Sequence, residues 1–353
     1  MISPLIATAH ALMAPGKGLL AIDESVATCN RRLAEYGIAQ TEESRRRYRE
    51  LLVTTPGLSE SISGSILFDE TLHQSTRNGT PFVEVLQSAG IVVGIKVDAG
   101  AQGLAGHPGE RVTEGLDGLR ERLKHYASVG ARFAKWRAVL TIADGFPSRA
   151  CIEANAHALA RYAMLCQEAE LVPIVEPEVL MEGGHTLARC GEVTIAVLHQ
   201  VFAQLHFQGV TLEAMILKPN MVLPGLSCTV PASLDEIADA TIDCLLRAVP
   251  AAVAGVAFLS GGQPARLATA RLNALHLRTD SSCTVREAPL PRIPWPLTFS
   301  FGRALQRPAL RLWAGDDANR DAAQQALLHR AQCNGAAARG TYHSAMDADR
   351  LPA

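Results

Sequence analysis

Residues Gly18–Ser25 read GLLAIDES, an apolar, strand-like run that ends abruptly in Asp23, Glu24 and Ser25. A doubly wound open sheet usually follows its first strand with a glycine-rich phosphate fingerprint. This stretch supplies carboxylates and a hydroxyl instead. Working outward, the same pattern recurs in SGSILF (Ser63–Phe68), IVVGIKVD (Ile91–Asp98), ARFAKWRAVL (Ala131–Leu140), LVPIVEPEV (Leu171–Val179), AMILK (Ala214–Lys218), GVAFLSGG (Gly255–Gly262) and PLTFSFGR (Pro296–Arg303). Helical periodicity fills the gaps. Glu42–Leu52 follows Thr41 as N-cap, Ser148–Ala169 opens on a capping Ser148, and Ser233–Val249 begins with the capping box S-x-x-E. Eight strand–helix repeats predict α/β architecture, a single (β/α)8 TIM barrel over residues 1–335, with a short, mobile C-terminal tail over 336–353.

Composition narrows the partners. The chain has 353 residues, 48% apolar and 19% charged, with a formal net charge of −2. That is enough apolar content for a large core, and it gives no field to attract nucleic acid. No apolar run reaches the roughly 18 residues of a membrane span. The cysteines are dispersed without a C-x-x-C pair, which reads as free thiols in a reducing compartment. The N-terminus lacks a basic leader and reads as a mature start. A soluble, cytoplasmic protein is expected, with no membrane partner.

In such a barrel the reactive groups belong at the C-terminal ends of the strands. Charge concentrates there: Asp23 and Glu24 on the first run, Lys96 and Asp98 on the third, Lys135 and Arg137 on the fourth, Glu176 and Glu178 on the fifth, and Lys218 closing the sixth. Residues two apart share a strand face, so each pair points to one side. A buried ammonium needs such partners. Lys218 is then a candidate nucleophile. Neighbouring cations (Lys135, Arg137) favour its neutral amine and carboxylates (Glu176, Glu178) its charged form, and the sequence leaves that balance open. A lysine amine attacks a ketone to form an imine, which draws electrons from an adjacent C–C bond. Glu176 suits the proton transfers of imine formation, and Asp23 suits removal of the hydroxyl proton during cleavage.

The last two runs supply anion handles. Ser260-Gly261-Gly262 offers backbone N–H groups, and Ser300, Gly302 and Arg303 stand at a helix start. Arg31, Arg32 and Lys96 form a second cationic set, expected across the mouth. Two anion sites around one lysine point to a substrate phosphorylated at both ends.

GKGLLAIDES, GIKVD, FAKWR, IVEPE, LKPNM, FLSGGQ and TFSFGRALQ, in this order from about Ala14 to Tyr342, resemble the signature blocks of class I (Schiff-base) fructose-1,6-bisphosphate aldolases. The resemblance implies that Lys218 forms the Schiff base, Glu176 is its acid/base with Glu178 beside it, and Asp23 takes the cleavage proton. It implies that Lys135 and Arg137 balance charge and position substrate. It places one phosphate on Ser260, Gly261, Gly262, Ser300, Gly302 and Arg303, and the six-phosphate on Ser25, Thr28, Arg31, Arg32 and Lys96. It implies no cofactor, no metal and a homotetramer. Two departures stand out. Animal members carry Ser-Thr-Gly-Ser after the Asp-Glu pair and a Lys-Arg dipeptide, whereas this chain has Ser25-Val26-Ala27-Thr28 and Arg31-Arg32, closer to plastid and bacterial members. Many members also end in a mobile segment with a terminal tyrosine; here the last tyrosine is Tyr342, so turnover or the choice between mono- and bisphosphate substrates is expected to differ.

Alternatives remain open at this stage: sedoheptulose 1,7-bisphosphate as substrate, another Schiff-base sugar-phosphate aldolase, or a non-catalytic barrel that binds sugar phosphates or proteins. A metal-dependent aldolase would need clustered ligands. The histidines show no H-x-x-H or Cys/His set, and His185, His199 and His206 read as surface or structural residues.

Overall fold

A computed structural model describes residues 3–279 and 292–347. Eight parallel strands close on themselves as a barrel. They are β1 (Gly18–Ile22), β2 (Ile62–Leu67), β3 (Val92–Lys96), β4 (Phe133–Leu140), β5 (Val172–Val179), β6 (Ile216–Leu217), β7 (Gly255–Phe258) and β8 (Leu297–Phe301). Each falls within one of the eight runs or overlaps it. Closure sets β8 against β1, with Leu19 opposite Ser300. The three helix starts read from the sequence are all made: Thr41 and Ser148 accept from Ser44 N and Cys151 N, and Ser233 forms the full capping box with Glu236.

Two apolar cores separate by strand phase. Leu20, Ile22, Trp136, Val175, Leu217 and Phe258 face outward into the layer between strands and helices. Leu19, Ala21, Phe133, Ile174, Ile216 and Ala257 face the lumen. Helix Pro4–Leu12, which opens with proline at its first turn, plugs the lower end with Leu12 and Met13. Four of these lumen-facing phases then continue upward into charge. Phe133 leads to Lys135, Ile174 to Glu176, Ile216 to Lys218 and Ala21 to Asp23. The apolar plug thus forms a floor beneath the charged groups.

A two-stranded antiparallel hairpin, Gly100–Gly103 with Arg111–Glu114, stands outside the barrel after β3 and was not anticipated from the sequence. The boundary expected at 335/336 falls inside helix Arg320–Ala337. Beyond that helix the described residues are tied down: Tyr342 N donates to Asn273 Oδ1 (3.0 Å), its hydroxyl donates to Asp347 Oδ2, and Asp347 pairs with the buried Arg330. The described cysteines are free thiols. Cys283 and the final residues Leu351-Pro352-Ala353 lie outside the described residues.

The inner layer is packed to contact at Gly94, where a Cβ would stand 2.2 Å from the Phe133 ring. Gly94→Ala is expected to destabilise the barrel by about 1–3 kcal/mol through overpacking. Gly103→Ala, with nothing within 4 Å of its Cβ position, should stay within about 0.5 kcal/mol of the parent. Chemical denaturation of the two variants checks this, and equal stabilities would refute the close inner packing.

Candidate active site

At the C-terminal mouth of the barrel the charged side chains form a branched chain of alternating sign. Lys218 Nζ lies 3.0 Å from Glu176 Oε1, and Glu176 Oε2 lies 3.2 Å from Lys135 Nζ. Lys135 Nζ continues to Asp23 Oδ2 at 2.7 Å and approaches Asp98 Oδ2 at 4.0 Å. Asp98 in turn holds Lys96 at 2.6 Å. Lys218, Lys135 and Glu176 are nearly inaccessible to solvent. Groups of this kind are buried only where each touches the opposite sign, and each of these does. Lys218 is therefore not crowded directly by Lys135 and Arg137, as its sequence neighbourhood suggested. Glu176 stands between the two lysines, and Arg137 turns to Glu178 at the rim.

Electrostatics follow from this order. Burial alone would raise the Asp23 carboxyl, but the charges of Lys135 and Lys218 outweigh it and hold it well below the usual carboxylate range. Burial opposes and Lys135, Lys218 and Arg137 together depress Glu176 in the same way. Burial would likewise lower Lys135, yet Asp23, Glu176 and Asp98 hold its proton far more tightly than usual. The resting network is fully ionised at these three positions near neutral pH.

Every residue named from the sequence as catalytic or substrate-binding lines one mouth cavity of about 430 Å³, except Arg31. That volume suits a small-molecule site, typically about 300–1,000 Å³. Arg31 lines an adjoining pocket with Tyr36 and Arg307. Consecutive helix residues point about 100° apart, so only one of the Arg31-Arg32 pair can face the mouth. The two cationic sets are also less opposed than expected. Because β1 and β8 are neighbours, Arg32 shares a flank with Arg303; burial, then the charges of Arg32 and Arg307, lower the hold of Arg303 on its proton. Only Lys96 stands away from that flank, on β3.

The loops after β7 and β8 have distinctive backbones. Gly261 and Gly262 adopt φ +55° and +89°, a left-handed region that side chains resist, so glycine is needed at both. Gly302 caps helix Arg303–Trp313. Ser25 caps helix Val26–Ala34, its Oγ accepting from Thr28 N and donating to Thr28 Oγ1.

Sequence reasoning gives Glu24 and Asp98 no role and passes over Arg49. Glu24 is buried and clamped by Arg32, by Arg49 at 2.7 Å and by Gln306 Nε2 at 2.7 Å. Burial would raise it, and Arg49 and Arg32 hold it below its usual range. The available signal was Arg49 itself, which lies in the apolar phase of helix Glu42–Val53 beside Tyr48 and Leu52. Asp98 was seen but given no role, although it carries the lumen phase two residues past Lys96. The histidine reading also needs correction. His199 and His206 are exposed and His185 half-buried, but His329 and Cys333, four residues apart on one helix, do form a set with Asp347.

Asp23 and Glu176 have folded affinities for protons below the ordinary values of 3.8 and 4.5. Their contribution to stability is therefore complete above those values and is lost as pH falls through them toward the folded ones. Stability should be flat on their account from about pH 6 to 8 and fall steeply below about pH 4.5. Glu176→Gln should lessen that fall in acid-unfolding curves; an unchanged slope would remove Glu176 from the linkage.

Comparison with known proteins bears directly on this arrangement. A family model described as glycolytic, class-I fructose-bisphosphate aldolase matches residues 4–351. The chain is 55% identical over 342 residues to the "Probable fructose-bisphosphate aldolase class 1" of Xanthomonas axonopodis pv. citri, covering 97% of this chain and 99% of that one. It is 50% identical to fructose-bisphosphate aldolase C of Mus musculus, covering 95% and 90%. Among solved structures, the aldolase of Plasmodium falciparum, crystallised in a ternary complex with TRAP and a small-molecule inhibitor, superposes with a TM-score of 0.92 at 44% identity, covering 97% of this chain and 95% of that one. With likeness of this depth running the full length of a barrel whose mouth converges on a buried lysine, the chain belongs to the class-I fructose-bisphosphate aldolase family.

Proposed function

We propose that the chain reversibly cleaves fructose 1,6-bisphosphate to dihydroxyacetone phosphate and glyceraldehyde 3-phosphate, with Lys218 forming the Schiff base. The observation that carries the assignment is the 3.0 Å contact between Lys218 Nζ and Glu176, deep in a cavity that also holds Asp23. Hydrogen-bond reach of this kind is the first requirement for proton transfer. Glu176 accepts a proton from the Lys218 ammonium, and the freed amine attacks the substrate ketone. Glu176 returns that proton to the carbinolamine oxygen, then takes a second from the nitrogen and passes it to the same oxygen, which departs as water and leaves a protonated imine. Asp23, ionised by its lysine neighbours, removes the hydroxyl proton of the substrate; the C–C bond breaks and its electrons pass into the imine as an enamine. Protonation of the enamine and hydrolysis of the imine release the second product. Lys135 touches both Glu176 and Asp23, so its fixed charge keeps two carboxylates close without mutual repulsion. Glu178 anchors Arg137 over the substrate.

One phosphate rests on Ser260, Gly261, Gly262, Ser300, Gly302 and Arg303. Ser300 Oγ supports this, being buried and without a hydrogen-bond partner within the described chain. The other is held by Ser25, Thr28, Arg32 and Lys96, with Arg31 contributing charge from outside the mouth. The chemistry needs no cofactor in this scheme, since the imine itself is the electron sink. Among the described residues no helix is long and apolar enough to cross a membrane. We infer a cytoplasmic homotetramer, as the sequence resemblance implies; sedimentation equilibrium would check the assembly.

Borohydride reduction in excess EDTA with dihydroxyacetone phosphate, followed by peptide mapping, should place a reduced adduct on Lys218 with parallel loss of activity. No adduct, together with activity abolished by EDTA alone, would overturn the Schiff-base assignment. The carboxylate roles separate in the same assay. Asp23→Asn should still trap the adduct while cleavage falls by roughly 10²–10⁴-fold, and Glu176→Gln should slow adduct formation itself by a similar factor. Equal trapping rates in both variants would contradict the division of labour.

A further inference from the structure

Away from the mouth, helix Arg320–Ala337 carries His329 and Cys333 one turn apart on the same face, and the chain returns after the helix to bring Asp347 against them. His329 Nε2 lies 3.6 Å from Cys333 Sγ and 3.6 Å from Asp347 Oδ1, and Cys333 Sγ lies 3.8 Å from the same Oδ1. All three are buried, and none lines the mouth cavity. We propose that His329, Cys333 and Asp347 bind one divalent transition metal of the zinc class, which fastens the segment after the helix to the barrel.

Three observations carry this. The donors are one sulfur, one imidazole nitrogen and one carboxylate oxygen, the mixture that zinc favours. A tetrahedral zinc with bonds of about 2.0–2.3 Å sets its ligands roughly 3.3–3.6 Å apart. The observed triangle is within a few tenths of an ångström of that, so side-chain adjustment alone closes it. Asp347 is also oriented by a further partner, as ligating carboxylates are: the Tyr342 hydroxyl donates to Oδ2, while Arg330 Nη1 donates to Oδ1 itself, the oxygen the metal would share. On binding, the metal–sulfur bond forms as the Cys333 thiol proton leaves to solvent, with no change of oxidation state. Three protein ligands leave the fourth tetrahedral position to water. Arg330 opposes the incoming charge, which places the affinity below that of an all-cysteine site. Arg330 also donates to Thr269 Oγ1 and Ala265 O of helix Ala265–Thr279, which follows the Gly261-Gly262 turn. The metal would therefore tie the C-terminal segment to the phosphate side of the barrel without entering the reaction.

The test uses the full chain, reduced and stripped of metal by chelator, then titrated anaerobically with Co²⁺. The expected result is one Co²⁺ per chain, giving tetrahedral visible bands and a thiolate charge-transfer band that Zn²⁺ displaces, together with a rise in melting temperature on adding Zn²⁺. Cys333→Ala and His329→Gln should each abolish the band and weaken Zn²⁺ binding at least about tenfold. Both should keep aldol-cleavage activity and the metal-free melting temperature; Cys228→Ala, at a more accessible thiol, should keep the band. Absence of the thiolate band in the parent, or its persistence in both Cys333→Ala and His329→Gln, overturns the site. His329→Gln alters the least buried of the three ligands, so it keeps the test decisive if Cys333→Ala fails to fold.

Discussion

The mouth of this barrel is organised by Lys135, an ammonium almost fully removed from water. Such a charge is tolerated only where carboxylates reach it. Three do: Asp23 from the end of β1, Asp98 from just beyond β3 and Glu176 from β5. These strands come from distant parts of the chain, and all must end at the same height with the same phase. A slip of one residue in any of them would turn its charge outward and its apolar neighbours inward. The ion network and the barrel register therefore constrain each other. Lys218 profits from this arrangement, because Glu176 is already oriented by Lys135 when it meets the amine.

A second clamp shapes the rim. Glu24, next in sequence to Asp23, points the other way and is held by Arg32, Arg49 and Gln306. Gln306 also donates to Ala21 O and accepts from Tyr48, so β1, helix Glu42–Val53 and helix Arg303–Trp313 meet at one point. That junction fixes Arg32 beside Arg303. Two guanidiniums on one flank, with Lys96 elsewhere, make the cationic lining asymmetric rather than two facing poles.

Much of this was legible because periodicity is local. The alternation in Phe133-Ala134-Lys135-Trp136-Arg137 shows directly which side chains share a face, and Ile174-Val175-Glu176-Pro177-Glu178 repeats the lesson. The capping residues were legible for the same reason: Ser233 and Glu236 bond across three residues. What escaped was long-range. Glu24 acquires its partners only when tertiary packing brings the Glu42–Val53 helix, with Arg49 in its apolar phase, against the end of β1. Arg31 and Arg32 look equivalent in a row of letters, but helical rotation separates them. Asp347 is one acidic residue near a C-terminus until Tyr342, Arg330, His329 and Cys333 surround it.

The sequence by itself determined the eight strand–helix units, the charged strand ends and, through seven ordered blocks, the family. Those features depend on neighbours a few residues apart, so the letters contain them. Only the tertiary structure decided the order of contacts within the charge network, the shared flank of Arg32 and Arg303, and the His329–Cys333–Asp347 triangle. These depend on barrel closure and helix packing, which join residues tens to hundreds of positions apart, and no local pattern encodes such distances.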